Sequence, residues 1–150
     1  MTAQRQEGVP ELAIWLGYGG LAPFAVCAVA AYSSTPIIAE YGLISAANYG
    51  AVILSFVGAI HWGLAMHDGR HVYWFVWSIT PALLAWALVS LLDVQLSMLA
   101  LVPAFTLAWS VDRLAFQRGL LPEWYMRLRN ILTGGAIIGL LFTAFAPAIS

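Results

Sequence analysis

The amino-acid sequence predicts an all-α polytopic membrane helical bundle of about five transmembrane helices, with the N-terminus inside and the C-terminus outside. The first observation is composition: hydrophobic residues make up 62% of the 150 residues, charged residues only 9%, and the mean hydropathy is +0.85. A soluble domain carries charge on about a quarter of its residues. The bilayer must therefore solvate much of this chain. The other two observations are the spacing of the apolar runs and the placement of the arginines.

Five apolar runs are long enough to span a bilayer, which takes about 20 residues at roughly 1.5 Å each. They are Leu12–Tyr32, Leu43–Met66, Val72–Leu92, Val94–Leu114 and Leu128–Ile149. No linker or repeat separates them, so we interpret residues 1–150 as a single domain. The connections are short, the tightest being the turn at positions 91–94, which predicts that sequential helices are antiparallel neighbours.

The arginines predict the orientation. With five spans, all six basic residues fall on one face of the membrane: Arg5, Arg70, Arg113, Arg118, Arg127 and Arg129. The opposite face carries Glu40 and Asp93 and no basic residue. Because cytoplasmic connections are enriched in basic residues, the arginine face is predicted to be cytoplasmic, in a multi-pass protein of the cell inner membrane.

Small residues predict where helices touch, because membrane helices associate through close packing rather than through a hydrophobic driving force. In the second predicted helix, small residues recur every four positions: Ala47, Ala51, Ser55, Ala59 and Gly63, with Gly50 and Gly58 beside them. We therefore expect this helix to be the most buried of the five. The fifth predicted helix carries a GxxxG pattern from Gly135 to Gly139. That pattern is compatible with a contact inside one chain or between two protomers.

Five polar residues lie toward the cytoplasmic ends of the predicted helices: His61, Asp112, Arg113, Arg129 and Asn130. By helical phase, His61 projects on the small-residue face of its helix and therefore into the bundle. Polar groups at this depth pair with one another, reach the interface or line a wet cavity. We expect His61 to contact Asp112, Arg113 or Asn130. Two interpretations stay open: a polar clamp between helix ends, and an anion-binding pocket or proton relay.

The sequence carries no complete catalytic, metal, nucleotide or haem signature, and we predict no metal and no cofactor. The single cysteine, Cys27, cannot form a disulfide within one chain. His67 and His71 are four residues apart, but the Asp-Gly-Arg sequence between them indicates a turn rather than one helix face. The net charge of −1 is unlike the basic surface typical of nucleic-acid binding.

Two further features concern helix interruptions and helix ends. Pro23, Pro81 and Pro103 lie inside three predicted spans, and we interpret them as kinks that improve packing, the alternative being broken helices that frame a binding site. Aromatic residues near helix ends, Trp74 and Tyr125 among them, are expected at the level of the lipid headgroups.

Three segments resemble a known family. The run from Tyr49 to Gly63, YGAVILSFVGAIHWG, is similar to the core segment of a bacterial domain-of-unknown-function family related to mitochondrial transmembrane protein 69. Residues 124–129, WYMRLR, followed by Leu132 and Thr133, are similar to that family's second recognisable segment, and positions 81–86 also fit. The resemblance implies a small multi-spanning inner-membrane protein. It implies no catalytic residue, because the family has no established activity.

These observations favour a non-enzymatic membrane protein that packs against other membrane components, as an accessory or assembly factor. Its expected partners are the lipid bilayer and other membrane proteins or copies of itself, and no nucleic acid. The alternative is a carrier or binding protein for a lipid, a quinone or a small anion at the polar cluster. A membrane enzyme has the least support. A wet cytoplasmic cavity lined by these polar side chains would favour the alternative, and a dry, fully packed bundle would favour the accessory role.

Overall fold

The computed structural model describes residues 11–68 and 72–147, and within those residues the chain is helical with no β-strand. The helices are α1 Glu11–Gly19, α2 Ala22–Ala31, α3 Pro36–Asp68, α4 Tyr73–Leu91, α5 Val94–Gln117 and α6 Glu123–Ala144. The predicted class, an all-α bundle of long apolar helices, is confirmed. Arg5, Arg70 and His71, together with the end of the fifth predicted span, lie outside the described residues.

The first predicted span consists of two helices. α1 and α2 together cover one apolar stretch, Glu11–Ala31, that is long enough to cross a membrane, but the chain turns at Gly20 between them. The Gly20 carbonyl accepts a hydrogen bond from the Tyr49 hydroxyl at 2.8 Å, so α3 stabilises the break. Pro23 lies in the first turn of α2, where a missing N–H leaves no helical bond unmade. It therefore starts a helix instead of kinking one.

α3 is longer than the second predicted span. It begins at Pro36 rather than at Leu43, and its 33 residues give a length of about 50 Å against about 30 Å of hydrocarbon. Glu40, expected in an external connection, is an exposed residue of this helix. Among the four candidate spans, the apolar window of α3 has the largest buried share, 39% against 33% or less.

Local chemistry sets the turn between α4 and α5. α4 ends at Leu91, one residue before the predicted end of its span, and α5 begins at Val94, as the sequence predicts. The Asp93 carboxylate accepts hydrogen bonds from the amides of Gln95 and Leu96, at 3.1 and 3.0 Å. Asp93 is therefore an N-cap, which satisfies backbone donors that have no partner within the helix.

α6 is the least apolar of the long helices. It begins at Glu123, before the predicted start at Leu128. Four stretches of the described residues are long and apolar enough to cross a membrane, and α6 is not one of them, because Arg127 and Arg129 in its first turns lower its hydropathy. It nevertheless packs against α2, α3 and α5 and exposes apolar side chains such as Ile138. With the α1–α2 stretch counted as one, α6 is the fifth long segment of the bundle.

α3 is the central helix, in contact with α2, α4, α5 and α6. Glycines mark its closest approaches. A Cβ at Gly42 would lie 2.6 Å from the amide nitrogen of Ala31, and a Cβ at Gly58 would lie 2.8 Å from the carbonyl oxygen of Ser78. Both distances are shorter than van der Waals contact, so a side chain at either position would push α2 or α4 away from α3.

The GxxxG pattern of α6 packs inside the chain. A Cβ at Gly135 would lie 2.8 Å from the side chain of Leu21, and one at Gly139 would lie 2.8 Å from Cβ of Phe24. This face of α6 therefore receives the start of α2. Of the two contacts compatible with the pattern, the tertiary structure contains the one within the chain.

The stripe of small residues on α3 is buried only in its first part. Ala51 and Gly58 are buried and Ser55 is half-buried, but Ala59 and Gly63 are exposed, and a Cβ at Gly63 would meet nothing within 4 Å. Four residues advance a helix by about 400°, so a stripe of this spacing rotates by about 40° at each step. The expectation that the whole stripe packs inside the bundle is wrong for Ala59 and Gly63.

Candidate functional site

Three of the five predicted polar residues meet inside the bundle. Nε of Arg129 donates a hydrogen bond to Oδ2 of Asp112 at 2.5 Å, and Nε2 of His61 lies 3.4 Å from Oδ1 of the same carboxylate. Asp112 and His61 are fully buried, and Arg129 is only 4% exposed. We call these three residues, with Tyr125 and Thr133, the Asp112 cluster.

α6 supplies three members of the cluster from successive turns. Tyr125, Arg129 and Thr133 are spaced by four residues, which puts them on one face of the helix. Nη1 of Arg129 donates to Oγ1 of Thr133 at 2.7 Å, and the Tyr125 hydroxyl donates to Oδ2 of Asp112 at 3.3 Å. The guanidinium is thus held by its own helix and by the carboxylate of α5.

The antiparallel order of the helices brings the cluster together. His61 lies near the end of α3 and Asp112 near the end of α5, whereas Arg129 lies near the start of α6. In an up-and-down bundle these ends share one face of the membrane. This is the face that the arginines predict to be cytoplasmic.

Tryptophans enclose the histidine. The ring of Trp74 stacks on that of His61 with centroids 5.1 Å apart, and the ring of Trp77 stands edge-on at 6.4 Å. Trp74 is 2% exposed, so the expectation that it lies among the lipid headgroups is wrong. The start of α4 packs on α3, which turns this aromatic residue inward.

Several polar atoms here have no hydrogen-bond partner among the described residues. They include Nη2 of Arg129, Nε1 of Trp74 and Oδ1 of Asp112. Buried polar atoms are nearly always bonded, because an unpaired one costs about 1–3 kcal/mol. The cluster therefore retains hydrogen-bonding capacity that its own residues do not use.

An apolar cavity of about 300 Å³ borders the cluster. Its walls come from α1, the middle of α3, Phe105 of α5 and α6, and its polar lining side chains are Tyr125 and Arg129. Its lining also includes Leu16 and Phe56, which are each 67% exposed on the surface of the bundle. We call this space the α1–α3–α6 cavity. The broken first span forms one of its walls.

The other two predicted residues lie elsewhere. Asn130 accepts a hydrogen bond from Nε1 of Trp109 at 2.7 Å, and the Arg113 guanidinium lies 5.5 Å from the centroid of the same ring. Arg113 and Asn130 are both exposed. Each follows a cluster residue directly in the sequence, and one residue turns a helix by about 100°. Their assignment to the polar cluster is therefore wrong.

Metal ligands do not gather in the described part of the chain. No group of three or more His, Cys, Asp or Glu residues there is arranged to hold a metal ion. His67 is in the last turn of α3, and His71 lies outside the described residues.

Sequence reasoning missed Tyr125 and Thr133 as members of the cluster. The available signal was their spacing of four residues on either side of Arg129, the ordinary spacing of residues that share a helix face. The cavity had no sequence signal, because its walls consist of common apolar residues from four helices.

The fold and the site together define a multi-pass helical membrane protein with a buried charged cluster and a cavity between its helices. The chain belongs to the family described as Protein of unknown function (DUF3429), which matches residues 9–145. It is 31% identical over 139 residues to Transmembrane protein 69 of Xenopus tropicalis. That match covers 89% of this chain and 54% of the relative, so the chain spans about half the length of that protein. No solved structure matches the chain. The family resemblance inferred from the three segments is confirmed.

Proposed function

We propose that this membrane protein binds an amphipathic molecule of the bilayer in the α1–α3–α6 cavity and does not convert it. One observation carries the proposal: Arg129 is 4% exposed, lines an apolar cavity of about 300 Å³, and keeps a donor, Nη2, with no partner among the described residues. Small-molecule sites are typically concave and apolar with a few polar groups that orient the ligand. The cavity has this composition.

The Asp112 cluster and the cavity together favour ligand binding over a role as a helix clamp alone. A clamp needs the contacts of Asp112 with His61 and Arg129, and these join α3, α5 and α6. It needs neither a cavity beside the pair nor a spare donor. A clamp role explains why the cluster is stable. It does not explain the cavity or the unpaired donor of Arg129.

Holding is favoured over chemistry because the groups able to exchange protons face each other. His61 and Asp112 contact one another and are enclosed by Trp74 and by Arg129. The polar atoms at the cavity wall are a phenol and a guanidinium, which are hydrogen-bonding groups at neutral pH rather than general bases.

The test is to identify what the protein retains from its own membrane. Ala13 lines the cavity from α1, so Ala13→Phe should fill it without replacing any residue of the Asp112 cluster. Ala25 is an exposed residue of α2, and Ala25→Phe is the matched control. Native-lipid extracts of the purified proteins should share their bulk lipids, and one additional molecule should be lost only from Ala13→Phe. Identical extracts from all three proteins would contradict the proposal.

A second candidate function is that of an accessory or assembly factor in the inner membrane. It is favoured by the outer end of the small-residue stripe, where Ala59 and Gly63 are exposed and a Cβ at Gly63 would meet nothing within 4 Å. Such a surface lets another helix approach closely, from another membrane protein or from a second copy of this chain. The inner-membrane location is supported by the arginine bias. Gly63→Leu should then abolish co-isolation of the partner while leaving the bundle folded, and unchanged co-isolation would remove this candidate.

A further inference from the structure

Resting on the proposed function, we infer that the ligand of the α1–α3–α6 cavity carries an uncharged carbonyl acceptor on an apolar body, such as a quinone ring or a glyceride ester. Such a ligand is a neutral lipid or a quinone and not an anion. Three features favour it: the charge balance of the cluster, the unused hydrogen-bond donor of Arg129, and the apolar surface on which the cavity opens.

The charge balance disfavours an anion. Among the described residues, Arg129 is the only charged one in the cavity wall, and its Nε is bonded to the fully buried Asp112 carboxylate at 2.5 Å. The two formal charges therefore cancel. His61 contacts the other carboxylate oxygen of Asp112 and stacks on Trp74. It is not part of the cavity wall. An anionic headgroup would enter an apolar space in which the described residues supply no uncompensated cation, at a large desolvation cost.

The unpaired group at the cavity is a donor, so the ligand must supply an acceptor. A guanidinium has only donors. Nε of Arg129 is used by Asp112 and Nη1 by Thr133, whereas Nη2 has no partner among the described residues. The Tyr125 hydroxyl already donates to Asp112. A carbonyl oxygen satisfies Nη2 and requires no counter-charge, and its hydrogen bond to a charged donor is stronger than one between neutral groups.

The apolar walls and the opening of the cavity favour a ligand whose remaining part is apolar and which enters from the bilayer. Ile53, Val57 and Leu132 are among the lining side chains. A volume of about 300 Å³ is at the lower end of the range for small-molecule sites, which suits a single ring or one segment of a chain. The exposed Leu16 and Phe56 lie where the cavity meets the apolar surface of the bundle. A tail can therefore extend into lipid while the head stays inside.

The experiment compares head groups on the protein in nanodiscs of ether-linked phosphatidylcholine, a host lipid without ester carbonyls. The probes are decylubiquinone and dioleoylglycerol, both neutral carbonyl compounds, and oleate, an anion with a similar apolar chain. Saturable retention is measured against empty nanodiscs. We expect retention of a neutral probe at about one molecule per chain, with oleate at least tenfold weaker. The two neutral probes separate the quinone source from the glyceride source.

Three variants give the inference its controls. Ala13→Phe should abolish retention of the neutral probe, and Ala25→Phe should leave it unchanged. Arg129→Lys keeps a positive charge beside Asp112 but removes the guanidinium and with it the unpaired Nη2 donor. It should weaken binding of the neutral probe by about tenfold or more, the loss of one hydrogen bond to a charged donor. If Arg129→Lys does not fold, the ratio of neutral to anionic probe on the unmodified protein still decides the question.

The failures are distinguishable. If oleate is retained most tightly and its retention is lost in Ala13→Phe, the carbonyl inference is overturned and the cavity remains a binding site. If no probe shows retention that depends on Ala13, both the inference and the proposed function are overturned.

Discussion

The ion pair of Asp112 and Arg129 makes the sharpest prediction about stability. Asp112→Asn keeps the size of the side chain and removes its charge, which leaves the Arg129 guanidinium, only 4% exposed, without its counter-charge. Breaking a buried pair by removing one partner costs about 3–5 kcal/mol, because the remaining charge stays desolvated. We expect Asp112→Asn to lower the free energy of unfolding by that amount.

The double variant tests the physical reason. Asp112→Asn combined with Arg129→Gln removes both charges, so no uncompensated charge stays in the bundle. Replacing a whole buried pair by well-packed hydrophobic residues is often neutral for stability, because no charge is left desolvated, and the Asn–Gln pair likewise carries no charge. The double variant should therefore be more stable than Asp112→Asn alone, a coupling that additive effects do not produce.

The chain offers a matched control in Glu123 and Arg127, also 2.5 Å apart but with side chains 70% and 76% exposed. Glu123→Gln should cost less than about 1 kcal/mol, because solvent screens an exposed pair. The assay is reversible unfolding in mixed detergent micelles, followed by circular dichroism. If Asp112→Asn costs no more than Glu123→Gln, the buried pair does not carry the energy assigned to it.

Three further predictions concern packing, capping and topology. Gly58→Ala should destabilise the bundle by about 1–3 kcal/mol through overpacking against α4, whereas Gly63→Ala, on the open side of α3, should not; equal losses in the same unfolding assay would contradict the packing of α3. Asp93→Ala should cost about 1 kcal/mol by removing the N-cap of α5, and an unchanged midpoint would show that the cap is dispensable. Reporter fusions at Asp93 should read external and fusions at Gly119, between α5 and α6, cytoplasmic; the opposite pair of readings would reverse the predicted orientation.

Composition and periodicity were enough to predict the class and most of the topology. Long apolar runs need no tertiary information to be recognised, because each must satisfy its backbone hydrogen bonds within itself in lipid. The turn before Val94 was predictable for a local reason, the N-cap at Asp93. The inward orientation of His61 also followed from helical phase, since one residue's direction within one helix depends on that helix alone.

The tertiary structure decided what depends on the relation between helices. The sequence offered Asp112 and Arg113 equally, and only the rotation of α5 against its neighbours turned Asp112 inward and left Arg113 on the Trp109 ring. The small residues of α3 were visible as a stripe, but which part of the stripe met α4 depended on where Gly58 approached Ser78. The cavity arose where the broken first span, α3 and α6 fail to fill the space between them. A sequence specifies what each helix can present, and the packing of several helices determines which of those surfaces are used.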